Sequence, residues 1–334
     1  MALDLSAPVL VAGGGGFIGG ALAGELLNRG FTDVRCADIK PADGWYQVHD
    51  AVDNRVLDLS EKDAAYEAAE GRAIIFNLAA DMGGMGFIEN NKAACMLSVL
   101  VTTNLLMAGR DQGAERLFYA SSACVYPGAR QENPEIVPLR ESEAYPADPE
   151  DGYGWEKLFG ERMARHFSED YAIKTRVARY HNVYGPYGTW EGGREKAPAA
   201  ICRKVADAVL SGSGRIEIWG DGEQSRSFMY IDDCVEGTLR LTTSDVDEPL
   251  NIGSSELVTI NQLVDIVESF EGVTLERDHI LDAPQGVRGR NSDNTLIQQR
   301  LGWEPSISLR DGMQKTYDWI KAEMVAQSAA GATS

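Results

Sequence analysis

The sequence is short of positive charge. Its 334 residues carry 31 Lys and Arg against 51 Asp and Glu, a net charge of −20. A balance of that sign excludes a general binder of nucleic acid or anionic membrane. Any anionic ligand must be held by a local basic cluster working against the global field. Metal-ligand chemistry is also thin. The five cysteines (Cys36, Cys95, Cys124, Cys202, Cys234) are odd in number and lack CxxC spacing, and the four histidines are dispersed. This excludes a zinc site of the usual spacing and suits a reducing, cytoplasmic setting. No window approaches ~18 consecutive apolar residues, so no membrane span is expected. The opening "MALDLSAPVLVAG" has no basic leader region, so no signal peptide is expected. Internal repeats are absent. What remains is ordinary: 44% apolar and 25% charged residues, in a chain long enough for about two domains.

The apolar runs come in a regular order. "PVLVAGGGGFIGGALAGELLNRG" reads as a strand over Pro8–Ala12, a glycine turn, and a helix with Ile18, Leu22 and Leu26 on one face. "VRCADI", Val56–Leu59, Ala73–Ala79, Arg116–Ser122 and Lys174–Tyr180 are further short strands, with helical stretches between several of them. Strands alternating with helices predict an α/β, Rossmann-type, doubly wound parallel sheet with ligands at the strands' carboxyl ends. From residue 181 the pattern turns irregular. "HNVYGPYGTWEGGREKAPAA" reads as a long loop entering a helix, and "IEIWGDGEQSRSFMYIDD" as strands around a Gly-Asp-Gly turn. The expected organisation is a dinucleotide-binding domain over 1–180 and a smaller substrate domain over 181–325. Some segments return to the first domain, and 326–334 is a frayed tail.

Gly13, Gly16 and Gly19 form G-x-x-G-x-x-G between a strand and a helix, and Asp38 ends the next strand nineteen residues after Gly19. That pattern serves a tight turn, backbone approach to a pyrophosphate and close helix–strand packing. An acid at Asp38 accepts from ribose hydroxyls and repels a 2′-phosphate, which favours NAD over NADP; Lys40 nearby pulls the other way. A second glycine loop, "LAADMGGMGFI" from Leu78, follows a strand and carries Met82, Gly83 and Met85. Its glycines let backbone groups touch a ligand. Met82 and Met85 read as soft apolar walls, and Met82 equally as core.

"YGWEK" puts Tyr153 and Lys157 one helical turn apart, and "YASSACVYP" ends a strand about thirty residues earlier. A lysine ammonium beside a phenol is expected to lower its pKa, so that the phenolate takes a proton from a sugar hydroxyl while hydride leaves the same carbon. Ser122 shares that proton. Together with the glycine motif, these residues resemble the extended short-chain dehydrogenase/reductase superfamily across nearly the whole chain. Its nucleotide-sugar branch oxidises a hydroxyl, does chemistry next to the ketone, and reduces it again. Two residues after Ser122 stands Cys124, where sugar 4,6-dehydratases begin an acid pair and simple 4-epimerases have a small hydroxyl residue. By its chemistry alone, Cys124 is equally a base beside a ketone or a small buried hydrophobe.

The motifs "LAADMGGMGFI", "SSACVYP", "RYHNVYGPYGTWEGGREKAPAA", "WGDGEQSRSF", "DDCVEG", "LNIGS" and "GVRGRNSDN" are similar to the GDP-mannose 3,5-epimerase family. The resemblance implies NAD as cofactor, a GDP-sugar as substrate, and Cys124 with Lys196 as the acid/base pair on opposite faces of the ring. Tyr153, Lys157 and Ser122 complete the catalytic set. It further implies Gly13, Gly16, Phe17, Ile18, Gly19, Asp38, Asp58 and Leu59 around the cofactor. Gly83, Ala123, Asn182, Glu195, Ala197, Lys204, Gln224, Ser225, Arg226 and Arg290 are implied around the substrate, with arginine gripping phosphate oxygens. Superfamily members commonly pair through two helices. Here these are the helix near Thr102–Ala108 and the one bearing Tyr153, which implies a homodimer.

The chain also departs from the family pattern. "LSVLVTTNLLMAGR" lacks the family's asparagine, with Ser98 near its place; Glu191 replaces a lysine; "GYGWEK" replaces "AYGLEK". An epimerase acting once on another GDP- or NDP-sugar therefore stays open. A 4,6-dehydratase is disfavoured because no acid pair follows Ser122. A non-catalytic NAD-binding scaffold is disfavoured by the intact Ser122, Tyr153 and Lys157.

Overall fold

A computed structural model describes residues 4–133, 135–283 and 286–331. The first strands are β1 (Val9–Ala12), β2 (Val34–Asp38), β3 (Asp53–Val56), β4 (Ile74–Asn77), β5 (Arg116–Ser122) and β6 (Lys174–Tyr180). Between them lie α1 (Phe17–Asn28), α2 (Lys62–Ala69), α3 (Met85–Asn90), α4 (Lys92–Gln112) and α5 (Asp151–Asp170). The later strands are β7 (Val183–Tyr184), β8 (Arg215–Trp219), β9 (Ser225–Ser227), β10 (Met229–Tyr230), β11 (Leu250–Ile252), β12 (Leu257–Thr259), β13 (Glu276–Ile280) and β14 (Gly289–Arg290). The later helices are α6 (Ala197–Ser211), α7 (Ile231–Thr243), α8 (Ile260–Glu271), α9 (Thr295–Leu301) and α10 (Leu309–Gly331).

A seven-stranded parallel sheet runs β11-β6-β5-β4-β1-β2-β3. The strand order reverses between β1 and β4, so the loops leaving these two strands diverge and open a crevice at their carboxyl ends. The central strands read as unbroken apolar runs because helices cover both faces. Leu10, Val11, Ile75, Phe76, Leu117 and Phe118 are fully buried there, each worth roughly 1.5–3 kcal/mol relative to exposure.

Two sequence expectations need correction. The third strand lies over Asp53–Val56, not Val56–Leu59. It is a solvent-facing edge strand, which needs no apolar run. Its register is set by ions instead: Arg35 pairs across the ladder with Asp53, Nε to Oδ2 at 2.7 Å. As expected, strands β8 and β9 flank the Gly-Asp-Gly turn. β8 joins β13 in parallel, while β9 pairs β12 and β14. Finally, helix α10 continues to Gly331, through most of the expected tail. The run "AQSAA" is alanine-rich and favours helix; 332–334 lie outside the described residues.

Residues 231–252 return to the first domain. α7 packs on α1, and β11 extends the sheet beyond β6. Among the described residues, α4 alone has the length and hydropathy of a membrane span. In the fold it packs against α2, α5 and β4, with Cys95, Leu105, Leu106 and Ala108 buried.

Candidate active site

The cofactor end begins where β1 stops. Gly13 adopts φ +85°, and a Cβ there would lie 2.9 Å from the Ala79 nitrogen in the loop after β4. A Cβ on Gly19 would come 2.1 Å from the Gly13 carbonyl oxygen. Strand, turn and helix therefore touch through backbone alone. α1 starts at Phe17 on Gly16 with no side-chain cap, so its first amides are left for an anion. Asp38 ends β2 and accepts the Lys40 amide at 2.9 Å, while the Lys40 ammonium reaches the Gly15 carbonyl at 3.2 Å. The lysine that argued for NADP is thus tied to the glycine turn. An uncapped helix, a glycine cradle and an acid at the next strand's end fit a dinucleotide without a 2′-phosphate. Asp58 is exposed and turns the chain by accepting from Ser60 N and Oγ (3.0 and 2.7 Å), whereas Leu59 is buried. Phe17 packs against Gly185 and Gly188, and Ile18 joins the core.

Sequence reasoning missed a strap over this region. The Trp45 ring lies so close to Gly15 that a Cβ there would meet it at 2.4 Å. Trp45 Nε1 donates to the Lys40 carbonyl at 3.0 Å, Gln47 to the Phe17 carbonyl at 3.3 Å, and His49 bonds the Gly20 carbonyl at 3.0 Å. The unusual run of small residues in α1 was the signal: Gly20 and Gly24 leave room for Gln47 and His49.

At the catalytic end, β5 delivers Ser122 into a tight turn over Ala123–Val125. The Cys124 amide donates to Ser122 Oγ at 3.2 Å, and the Cys124 carbonyl accepts from the Glu150 amide at 2.9 Å. A Cβ on Gly154 would meet that carbonyl at 2.4 Å. Helix α5 is therefore pressed onto the Cys124 turn. Tyr153 sits with Cys124, Cys95 and Ile88 in one buried cluster, with Met82 and Phe87 against it. Met82 is thus a wall of this cluster; the Met85 side chain lies outside the described residues. Lys157 is buried, its Nζ 5.5 Å from the Tyr153 ring centroid.

One electrostatic expectation is reversed. Burial raises the Tyr153 phenol well above its ordinary value, the nearby Cys124 and Glu156 charges add to this, and the Ser122 hydroxyl alone opposes. Burial wins because Lys157 is shared: its Nζ is 3.5 Å from Glu156 Oε2 and also faces Tyr119. An oxidised nicotinamide, when bound, would supply positive charge that lowers the phenol's proton affinity.

The loop after β4 is closed from the other lobe. A Cβ on Gly84 would lie 2.6 Å from the Glu195 carbonyl oxygen, and the Gly84 amide donates to the Arg194 carbonyl at 3.0 Å. Arg194 bonds Asp81 at 2.8 Å and covers the Phe87 ring at 3.8 Å. Ser98 Oγ accepts the Asp81 amide at 2.9 Å, so it ties the loop to α4. Gly83 is buried against Phe87. The glycines of this loop therefore serve the contact between lobes as well as the crevice. That contact fixes Lys196, the N-cap residue of α6, with Ala197 the first residue of the helix. Burial lowers the Lys196 ammonium's proton affinity, and the Cys124 and Cys234 charges partly restore it. The Glu195 carboxylate turns to its own loop, accepting from Gly193 N at 2.7 Å and Arg203 at 3.2 Å.

Two guanidiniums bear on the thiol, Arg290 by contact and Arg226 through its charge. Arg290 Nη1 lies 3.6 Å from Cys124 Sγ, its Nε donates to Gln131 at 2.7 Å, and it forms a buried ion pair with Glu150. Arg226, on β9 beside Ser225, donates to the Ser225 and Val287 carbonyls. Burial brings it down to about 10, against the pull of the Cys124 charge. This puts positive charge around sulfur, as a thiolate base requires. Gln224 donates to the Trp219 carbonyl at 3.0 Å, while its Oε1 is buried without a partner among the described residues. Asn182, at φ +26°, donates to the Ser227 carbonyl at 3.0 Å. Lys204, on α6, is half-buried, bonded to the Glu217 carbonyl at 2.9 Å and lying over Trp219.

The geometry joins a dinucleotide cradle to a phenol, a thiol and an amine, and the chain is similar in sequence and fold to known proteins. The model of the NAD dependent epimerase/dehydratase family matches residues 9–253. GDP-mannose 3,5-epimerase 1 of Oryza sativa subsp. japonica is 47% identical over 97% of this chain and 84% of its own length. GDP-mannose 3,5-epimerase of Arabidopsis thaliana is 46% identical with the same coverage. Among solved structures, UDP-glucose 4-epimerase of Thermotoga maritima with UDP-glucose superposes with a TM-score of 0.84 at 24% identity, covering 95% of this chain and 99% of that one. UDP-glucuronic acid 4-epimerase of Bacillus cereus, in complex with UDP-glucuronic acid and NAD, gives 0.80 at 25% identity, covering 94% and 99%. By its sheet, its cradle and these likenesses, the chain belongs to the NAD dependent epimerase/dehydratase family, alongside the plant GDP-mannose 3,5-epimerases.

Proposed function

We propose that this protein epimerises GDP-mannose at C-3 and C-5 through a transient 4-keto sugar. The observation that carries the reading is Cys124. It is buried beside the Tyr153 phenol, contacted by the Arg290 guanidinium, and within the field of the Arg226 guanidinium and the Lys196 ammonium. Tyr153, assisted by Ser122, takes the proton of the C-4 hydroxyl, and Lys157 steadies the phenolate. NAD, when bound, supplies the hydride acceptor and later returns the hydride. The ketone acidifies the neighbouring C–H, Cys124 removes the C-5 proton, and Lys196 delivers one to the other face. A similar exchange at C-3 precedes reduction. A lysine whose proton affinity is lowered by burial suits that donor role. The test is incubation of the purified protein with GDP-mannose and no added cofactor. A second GDP-sugar is expected on chromatography, and return of GDP-mannose alone would contradict the reading.

The cofactor is expected to stay with the protein, because each turnover regenerates it. Denatured protein should release NAD, as Asp38 and the tied Lys40 favour. A supernatant dominated by NADP would contradict that assignment.

The proposed assembly is a homodimer. Helices α4 and α5 lie side by side and present Met96, Leu97, Leu100, Trp155 and Phe159, of which Leu97 is 60% and Phe159 55% exposed. A contiguous apolar face of that kind marks a contact surface. Light scattering at micromolar concentration should give twice the chain mass; the mass of one chain would reject the dimer. Five free, buried cysteines support a reducing, cytoplasmic location for this enzyme.

A further inference from the structure

A buried carboxylate sits behind the catalytic lysine, and the mechanism above gives it no task. Glu156 lies on α5 between Tyr153 and Lys157 and is buried. Its Oε2 is 3.5 Å from Lys157 Nζ, without hydrogen-bond geometry, and has no other polar partner among the described residues. Its Oε1 accepts the Tyr119 hydroxyl at 3.3 Å. Tyr119 is itself buried on β5, within hydrogen-bonding reach of Thr102 on α4, and Thr102 accepts from Asn77 at the end of β4 at 3.2 Å. A polar chain therefore runs from the switch point of the sheet to the catalytic lysine. Burying a carboxylate is costly unless it answers a charge.

We propose that Glu156 is a positioning residue for the epimerisation. It is the buried counter-charge that keeps Lys157 in place beneath Tyr153, and it sets the pH range in which the phenol works. This rests on the epimerase reading above. The surroundings are few. Lys157 and Tyr153 face Glu156 from α5, Tyr119 from β5 and Cys95 from α4, and Cys124 lies on the far side against Tyr153. Glu161, on the next turn of α5, is neutralised by Arg179 of β6 at 2.7 Å. The Glu156 charge opposes ionisation of Tyr153, so its removal eases that ionisation.

The experiment is the pH profile of kcat with GDP-mannose for the wild type, Glu156→Gln and Glu156→Asp. The acidic limb of Glu156→Gln should move down by about one pH unit, the usual effect of one charge at this range. Glu156→Asp keeps the charge and should stay with the wild type. A packing role would lower the rate of both without moving either limb, and a Glu156→Gln limb on the wild-type curve overturns the proposal. Melting of Lys157→Met and of Lys157→Met/Glu156→Gln reads the pairing without turnover. The double variant leaves no charge buried alone, so it folds even where Glu156→Gln does not, and it should melt above Lys157→Met. A double variant melting at or below the single one overturns the pairing. Absence of wild-type turnover would sink the epimerase reading instead, and leaves the melting comparison standing.

Discussion

Tyr153→Phe should abolish both redox chemistry and ring-proton exchange. Without the phenol no group in the cluster takes the C-4 proton: Ser122 has no base behind it, and Lys157 lies beyond the ring, paired with Glu156. No ketone forms, so the C–H bonds at C-3 and C-5 keep their ordinary inertness. Loss of a general base costs ~10²–10⁴-fold, and here two later steps depend on it as well. Phenylalanine keeps the packing against Cys95, Cys124 and Ile88, so the variant should fold and retain NAD. Single-turnover absorbance of the bound nicotinamide after adding GDP-mannose reads the first step. A wild-type rise in that signal would remove Tyr153 from the reaction.

Cys124→Ala should separate the two halves of the chemistry. The phenol, Lys157 and the cofactor cradle are untouched, so GDP-sugar still binds and bound NAD is still reduced. Ring exchange should fall by ~100-fold or more. The variant also leaves Arg290 without its sulfur neighbour, but that guanidinium keeps Gln131 and Glu150. Lys196→Ala should behave differently. Cys124 returns a proton to the face it came from, so exchange with retained configuration persists while inversion slows. Wild-type exchange in Cys124→Ala would make the thiol a packing residue, and Glu195 would be the next base to examine. Its carboxylate is already tied to Gly193 and Arg203, which argues against that role.

Much of this was legible in the sequence because the fold writes its needs locally. Gly13 and Gly19 cannot carry side chains, β5 ends on Ser122 in both readings, and "YGWEK" places two functional groups on one helix face. Local signals fail where partners are distant. β3 is polar because its stability comes from Arg35 across the ladder, and the distant partners of β8 and β9 are not written in either strand. The Trp45–His49 strap announces itself only through glycines in α1, one helix away. The reversed behaviour of Tyr153 has the same origin: an i, i+4 lysine is visible in the sequence, but the burial of both groups and the sharing of Lys157 with Glu156 are not. Nor does residue type separate Lys204, bonded to the Glu217 carbonyl, from Arg290, which reaches Cys124.

The measurement that tests the account most directly is proton NMR of GDP-mannose incubated with the protein in heavy water. Deuterium should appear at C-3 and C-5, where Cys124 and Lys196 exchange protons with solvent. C-4 should keep its hydrogen, because the hydride leaves and returns within one turnover. A changed sugar with no deuterium at either C-3 or C-5, or with deuterium at C-4, would contradict the mechanism.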